Sequence, residues 1–237
     1  MSSVPSCPNT VIEFFGLPGV GKSTLSHRAA TALASEHTHV MEPIRWIDNR
    51  SGPHRVLSKA RFAVEHHLRH PITALATMRS LRTVDPGSTI DCFRVLFNLH
   101  YVAGVMARTR SKTGVTLLDQ GLYQGVWSVG LRSPTEWPQL LDRLDGILSK
   151  NVPDLVVLVE ADTETVSDRL RSREDGDTRF APDSPRFDRG VEGYELLKQR
   201  LLSTDDAPVS IVVENQTRTD LAPGAKQIVE AVRSLPD

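Results

Sequence analysis

The chain has 237 residues, which is enough for one large α/β domain with a substantial core. Its 28 basic and 29 acidic residues nearly balance, so the composition argues against a polyanion-binding surface spread over the whole molecule, although charge could still concentrate locally. The two cysteines, Cys7 and Cys92, are far apart and argue against both a disulfide scaffold and a structural zinc site. The polar N-terminus and the lack of a membrane-length apolar run predict a soluble cytoplasmic protein, with neither a membrane nor a nucleic-acid polymer as partner.

The most informative stretch is VIEFFGLPGVGKST at residues 11–24. A short apolar run breaks at Gly16 and a helical pattern opens at Lys22, which matches the strand, GxxxxGK[ST] loop and helix of a phosphate-binding site. The loop amides and the helix N-terminus would hold phosphates, Lys22 would add a charge near the outer phosphates, and the Ser23 hydroxyl would ligate magnesium. The predicted nucleotide-binding residues are Gly16, Leu17, Pro18, Gly19, Val20, Gly21, Lys22, Ser23 and Thr24.

Helical and extended patterns alternate after this loop. A helix is expected at 23–34, and a short strand should end before Pro43, which puts Glu42 near the carboxyl end of that strand. Apolar periodicity then predicts helices at about 54–70, 72–81 and 89–110. His66, His67 and His70 suggest a metal site, but two of them are sequence neighbours that face different directions, so a solvated helix end is the favoured interpretation.

The second half of the chain continues the alternation. An apolar strand at 115–119 ends in Asp119, helices are expected near 123–129 and 134–148, and the run at 154–160 is the most strand-like in the chain. Asp162 or Thr163 should cap a helix that runs to about residue 173. The arginine-rich, proline-containing stretch at about 174–187 is interpreted as a mobile lid. A helix at 191–202, a strand at 209–213 and a helix at 221–235 follow.

Five strands alternating with helices predict an α/β fold, in which a parallel sheet carries helices on both faces. Ligands bind at the carboxyl edge of such a sheet, so the glycine loop, Glu42 and Asp119 should meet there. Phosphoryl transfer needs positioned phosphates, neutralised charge and a carboxylate that accepts the hydroxyl proton, and either Glu42 or Asp119 could be that base. The predicted catalytic residues are Lys22, Glu42, Asp119, Arg169 and Arg173, with Arg169 also in the nucleotide site and with Ser23 and Asp119 as the magnesium ligands.

The glycine loop, the order of elements and the arginine-rich stretch resemble the thymidylate kinase and deoxynucleoside kinase group of P-loop kinases. The segment EPIRWIDN at 42–49 is similar to the Glu-Pro-Val/Ile-x-x-Trp-x-Asn segment of deoxynucleoside kinases, with one residue fewer before Trp46. This resemblance implies a five-stranded sheet of order 2-3-1-4-5, ATP and Mg²⁺ as cofactors, and Glu42 as acceptor of the sugar hydroxyl proton. It also implies one domain over 1–237, with an acceptor-side helical insert at about 54–110. The candidate substrate residues are Glu42, Trp46, Arg94, Tyr101, Gln120, Gln124 and Arg179.

One departure concerns the acceptor. Kinases of this group usually carry an arginine after the acidic residue that follows strand three, whereas Gln120 follows Asp119 here. We therefore expect transfer of the γ-phosphate from ATP to a nucleoside, a nucleotide or a related natural product such as an antibiotic. A nucleotide-binding switch or a degenerate kinase is the alternative, although the guanine-reading Asn/Thr-Lys-x-Asp segment of GTPases is absent from the sequence. Assembly into a homodimer is left open.

Overall fold

A five-stranded parallel sheet, with strands in the order β2-β3-β1-β4-β5, forms the centre of the computed structural model. The strands are β1 (Thr10–Phe15), β2 (Val40–Met41), β3 (Val115–Leu118), β4 (Leu155–Glu160) and β5 (Val209–Glu214). The structure describes residues 9–36, 39–85, 88–149, 152–172, 180–182, 184–204 and 206–235. The α/β class, the parallel sheet and its strand order are confirmed.

Burial along the strands explains why the sheet has this form. Val11 to Phe15 of β1 and Leu155 to Val159 of β4 are all buried, although successive side chains of a strand point to opposite faces. Both faces of the central strands are therefore covered, as in doubly wound folds. Helix α1 (Lys22–Ala34) packs against α10 (Leu221–Arg233) and contacts β1, while α6 (Leu122–Gly130) contacts β1 as well.

In the described residues between β2 and β3 there are four helices. These are α2 (Pro43–Asp48), α3 (Gly52–Arg69), α4 (Pro71–Thr83) and α5 (Thr89–Arg110). Helices α3 and α5 pack closely, because a side chain on Gly104 of α5 would overlap the backbone of Phe62 in α3. The three long helices agree with the sequence prediction to within a few residues at each end.

The insert differs from expectation in two respects. His66 is buried rather than solvated, and it packs beside His70 and against His100 of α5. Helix α5 also has the length and hydropathy of a membrane span, so the expectation that no apolar run reaches that length is wrong for this helix. Half of its most apolar window is buried inside the protein, and core helices of soluble proteins share these properties, so this is weak evidence for a span.

Three helices complete the described part, namely α7 (Trp137–Leu148), α8 (Thr163–Arg171) and α9 (Pro185–Ser203). Asp162 caps α8, since its carboxylate accepts the Thr165 amide at 2.6 Å. The lid prediction is too long at its C-terminal end, because Phe187 lies in α9 and is buried with Phe180. Residues 173–179, which include Arg173 and Arg179, lie outside the described residues.

Candidate active site

The loop between β1 and α1 has the backbone that a phosphate cradle requires. Gly19 and Gly21 have φ angles of 95° and 93°, a region that side chains other than glycine rarely enter. At position 16 glycine is required for a steric reason, because a Cβ there would lie 2.6 Å from the carbonyl oxygen of Val159. These glycines therefore fix a tight loop at the carboxyl edge of the sheet, and α1 begins at the residue that follows Gly21.

Lys22 lies inside this loop. Its Nζ donates to the carbonyl oxygens of Gly16 at 2.7 Å and Leu17 at 2.9 Å, so the loop backbone curls around the ammonium group. The charge is thus placed where the outer phosphates of a bound nucleotide would lie.

Ser23 and Asp119 come together although they are far apart in sequence. The Ser23 hydroxyl donates to Asp119 Oδ2 at 2.9 Å, which joins the start of α1 to the end of β3. Burial raises the pKa of Asp119, the Ser23 hydrogen bond opposes this shift, and the carboxylate of Asp48 adds to it. A hydroxyl beside one carboxylate suits Mg²⁺, which takes few protein oxygens and completes its shell with phosphates and water. The residues that the sequence predicted as magnesium ligands are therefore adjacent.

Glu42 lies at the end of β2 and precedes α2. His27 of α1 approaches it, with Nδ1 3.0 Å from Glu42 Oε2. An ionised carboxylate only accepts hydrogen bonds, so the His27 Nδ1 must carry the proton of this contact. Because His27 lies on the same helix as Lys22, α1 connects the phosphate loop to the candidate base.

Two of the predicted substrate residues have buried side-chain oxygens. Tyr101 lies with Asp48 and Lys59, and Gln124 lies in the first turn of α6. Tyr101 is buried, and burial followed by the Asp48 and Asp119 carboxylates raises the pKa of its hydroxyl. Asp48 pairs with Lys59 at 2.7 Å, and Lys59 also lies over the Tyr101 ring. The Tyr101 hydroxyl and Gln124 Oε1 are buried without a hydrogen-bond partner among the described residues. Buried polar groups usually have partners, so these two oxygens are exceptions within the part of the chain that the structure describes.

Three other predicted substrate residues are less closely associated with this group. Trp46 is 58% exposed, and the Arg50 guanidinium covers one face of its ring at 3.6 Å, which leaves only the other face for a ligand. Arg94 is exposed on α5 and pairs with Asp91 at 3.6 Å. Gln120 is exposed directly after Asp119.

Arg169 of α8 contacts the backbone around the loop. Its guanidinium donates to the carbonyl oxygens of Asn215 at 2.9 Å, Gln216 at 2.8 Å and, over a longer distance, Val20 at 3.4 Å. The Asn215 side chain also donates to the Val20 carbonyl. Arg169 and Asn215 thus brace the phosphate loop against the segment after β5, and a phosphate contact by Arg169 stays a prediction. No pattern in the sequence indicated Asn215, because its contact with Val20 depends on the approach of the segment after β5 to the loop.

Glu13 is a further residue that the sequence analysis left without a role. It lies fully buried in β1, and its carboxylate accepts the backbone amides of Leu122 at 2.9 Å and Gln124 at 3.2 Å at the start of α6. Burial raises its pKa to about 7, although these amides oppose the shift. A side chain at Gly121 would overlap Glu13, so the glycine permits the contact. Glu13 therefore fixes α6, and with it Gln124, relative to the sheet. Its only signal in the sequence was a charge inside an apolar strand.

Comparisons with known proteins bear on this arrangement. Neither protein-family models nor curated proteins give a match. Among solved structures, deoxyadenosine kinase from M. mycoides aligns with a TM-score of 0.57 at 14% identity, over 95% of this chain and 100% of that chain. Thymidylate kinase from Candida albicans aligns with a TM-score of 0.55 at 17% identity, over 95% and 93% of the two chains. The chain has the fold of these kinases. The resemblance inferred from the sequence is thus confirmed at the level of the fold.

Proposed function

We propose that this protein is a Mg²⁺-dependent phosphotransferase that moves the γ-phosphate of ATP to a hydroxyl or phosphate group of a small molecule. The observation that supports this best is the 2.9 Å contact between Ser23 and Asp119 beside the loop that surrounds Lys22. The contact brings a hydroxyl at the start of α1 beside a carboxylate that follows β3, which is the pair that the proposed magnesium site needs. A nucleotide-binding switch needs the same two parts, so the acceptor side has to decide between the two functions.

A carboxylate placed to accept a proton supports transfer rather than binding alone. Glu42 is partly buried and contacts His27, whereas Asp119 accepts a hydrogen bond from Ser23, its partner in the proposed magnesium site. We propose Glu42 as the base, with Lys22 and the metal neutralising the transferred phosphate. Magnesium would supply charge neutralisation and in-line positioning of the phosphates.

The acceptor is proposed to be a nucleoside, a nucleotide or a related natural product. The M. mycoides kinase has been solved with bound dATP, and an aligned structure of it carries the product dCMP. The buried Tyr101 hydroxyl and Gln124 oxygen, which have no hydrogen-bond partner among the described residues, would supply polar groups for recognition. We further propose that the protein acts in the cytoplasm as a single kinase-like domain.

ADP production measured over panels of nucleosides, nucleotides and hydroxylated antibiotics tests this function. At least one acceptor should stimulate ADP release far above basal hydrolysis, and Lys22→Ala should abolish the stimulation while the protein stays folded. Thr31→Ala, on the same helix but at its exposed side, is the matched control. Slow ATP hydrolysis that no acceptor stimulates would favour the switch or degenerate kinase instead.

A further inference from the structure

Charge is distributed very unevenly along this chain. Residues 50–84 contain seven of the 28 basic residues and only one of the 29 acidic residues, Glu65, which gives a formal net charge of +6. The rest of the chain has 21 basic and 28 acidic residues, a net charge of −7. The overall balance therefore conceals a strongly basic insert made of α3 and α4.

The same two helices expose large apolar side chains. On α3, Leu57 is 69% exposed, Val64 54% and Leu68 74%. On α4, Ile72 is 83% exposed and Leu75 44%. Spacings of seven and four residues place Leu57, Val64 and Leu68 in one stripe on one side of α3. Ile72 follows Leu68 by four residues, just past the corner at Pro71, and Leu75 lies three residues further along α4. These five side chains expose roughly 500 Å² together, which is at the upper end of the largest apolar patches found on typical monomers.

Arginines lie within these stripes. Arg61 falls between Leu57 and Val64 on α3, and Arg79 and Arg82 continue the Ile72 stripe on α4. All three are exposed, and none has an ion pair or hydrogen bond with another described residue. By contrast, Lys59 and Arg69 elsewhere on α3 have carboxylate partners.

We propose that this surface docks on an anionic phospholipid bilayer. We call it the basic-apolar face, and its residues are Leu57, Arg61, Val64, Leu68, Ile72, Leu75, Arg79 and Arg82. Apolar side chains would enter the boundary between headgroups and acyl chains, and the unpaired guanidinium groups would bind lipid phosphates. Exposed apolar and cationic side chains on one face, with almost no acidic residue nearby, are the combination that an anionic interface attracts.

Two other occupants fit the surface less well. A second copy related by two-fold symmetry would bring Arg61, Arg79 and Arg82 of both copies to the same interface, where their like charges repel. A nucleic acid would match the charge, but the basic-apolar face offers aliphatic side chains and no aromatic ring for stacking on bases.

Co-sedimentation of the full chain with vesicles tests the proposal. We expect binding to vesicles of phosphatidylcholine with 30% phosphatidylserine, little binding to pure phosphatidylcholine, and weakening as salt rises. Arg61→Gln with Arg79→Gln should weaken binding about 25-fold, at about fivefold per charge. Leu68→Ser with Ile72→Ser should weaken it at least about tenfold. Leu202→Ser, which removes a 51% exposed leucine from α9, is the matched control and should bind as the wild type does.

The outcomes separate the occupants. Loss of binding in both double variants, with unchanged far-ultraviolet circular dichroism and a normal control, supports the lipid assignment. Absence of vesicle binding at low salt overturns it, as does equal binding to neutral vesicles. A wild-type dimer that Leu68→Ser with Ile72→Ser dissociates, without vesicle binding, assigns the face to a second copy. Retention on duplex DNA but not on anionic vesicles assigns it to nucleic acid.

Discussion

The histidines between α3 and α5 should make the stability of the helical insert depend on pH. His66 and His100 are buried, and one ring nitrogen of each has no hydrogen-bond partner among the described residues. Burial, followed by the charges of neighbouring histidines, lowers the pKa of both, that of His100 from 6.5 to about 4. His67 and His70 contact these rings, so a proton on one ring is unfavourable for the others.

The direction of this pH dependence follows from which state of the protein, folded or unfolded, binds a proton more readily. An unfolded His100 takes up a proton near pH 6.5 and the folded one only near pH 4, so acid favours the unfolded state. Full stability is present above pH 6.5 and is lost as the pH falls towards 4. At pH 5 this difference corresponds to about 2 kcal/mol of unfolding free energy from His100 alone, and His66 adds to it in the same direction.

Urea unfolding at pH 8, 7, 6 and 5, followed by far-ultraviolet circular dichroism, measures this loss. His100→Leu keeps an apolar side chain between the helices but removes the titrating ring. The gap in unfolding free energy between wild type and this variant should therefore change by about 2 kcal/mol between pH 8 and pH 5. The exposed His39→Gln is the matched control and should follow the wild type. Parallel curves for wild type and His100→Leu would refute the reasoning, whatever their vertical offset.

Three further predictions concern the active site. Glu42→Gln should slow phosphoryl transfer by on the order of 100-fold or more, because the base is lost. ATP affinity, measured by equilibrium titration, should stay largely intact. A transfer rate equal to that of the wild type would move the base to Asp119. His27→Asn should lower kcat about tenfold, since the imidazole that orients Glu42 is removed, and should leave ATP affinity largely intact. An unchanged kcat would show that the 3.0 Å contact has no catalytic role. Ser23→Ala should raise the Mg²⁺ concentration needed for half-maximal turnover about tenfold, and an unaltered requirement would contradict the metal assignment.

Local sequence was enough to predict the donor half of the site. The glycine loop is continuous in the chain, and its spacing, positive φ angles and lysine belong to one stretch of 14 residues, so tertiary contacts add little to its interpretation. The adjacency of Ser23 and Asp119 was also predictable, because carboxyl ends of parallel strands meet at one edge. Strand order followed from the resemblance, which depends on the same loop and on the alternation of elements.

Contacts between segments that are distant in the chain could not be predicted from any pattern in the sequence. The pairing of His27 with Glu42 depends on how α1 passes the end of β2, and the bond from Glu13 to α6 depends on the packing of a helix over β1. Helical periodicity gives the faces of a helix but not which face another helix covers, so His66 was assigned to solvent although α5 buries it. The sequence by itself determined a phosphate-binding loop and the sheet that carries it. Only the tertiary structure decided that His27 contacts Glu42 and which surface of the insert stays exposed, because both depend on the relative placement of separate elements.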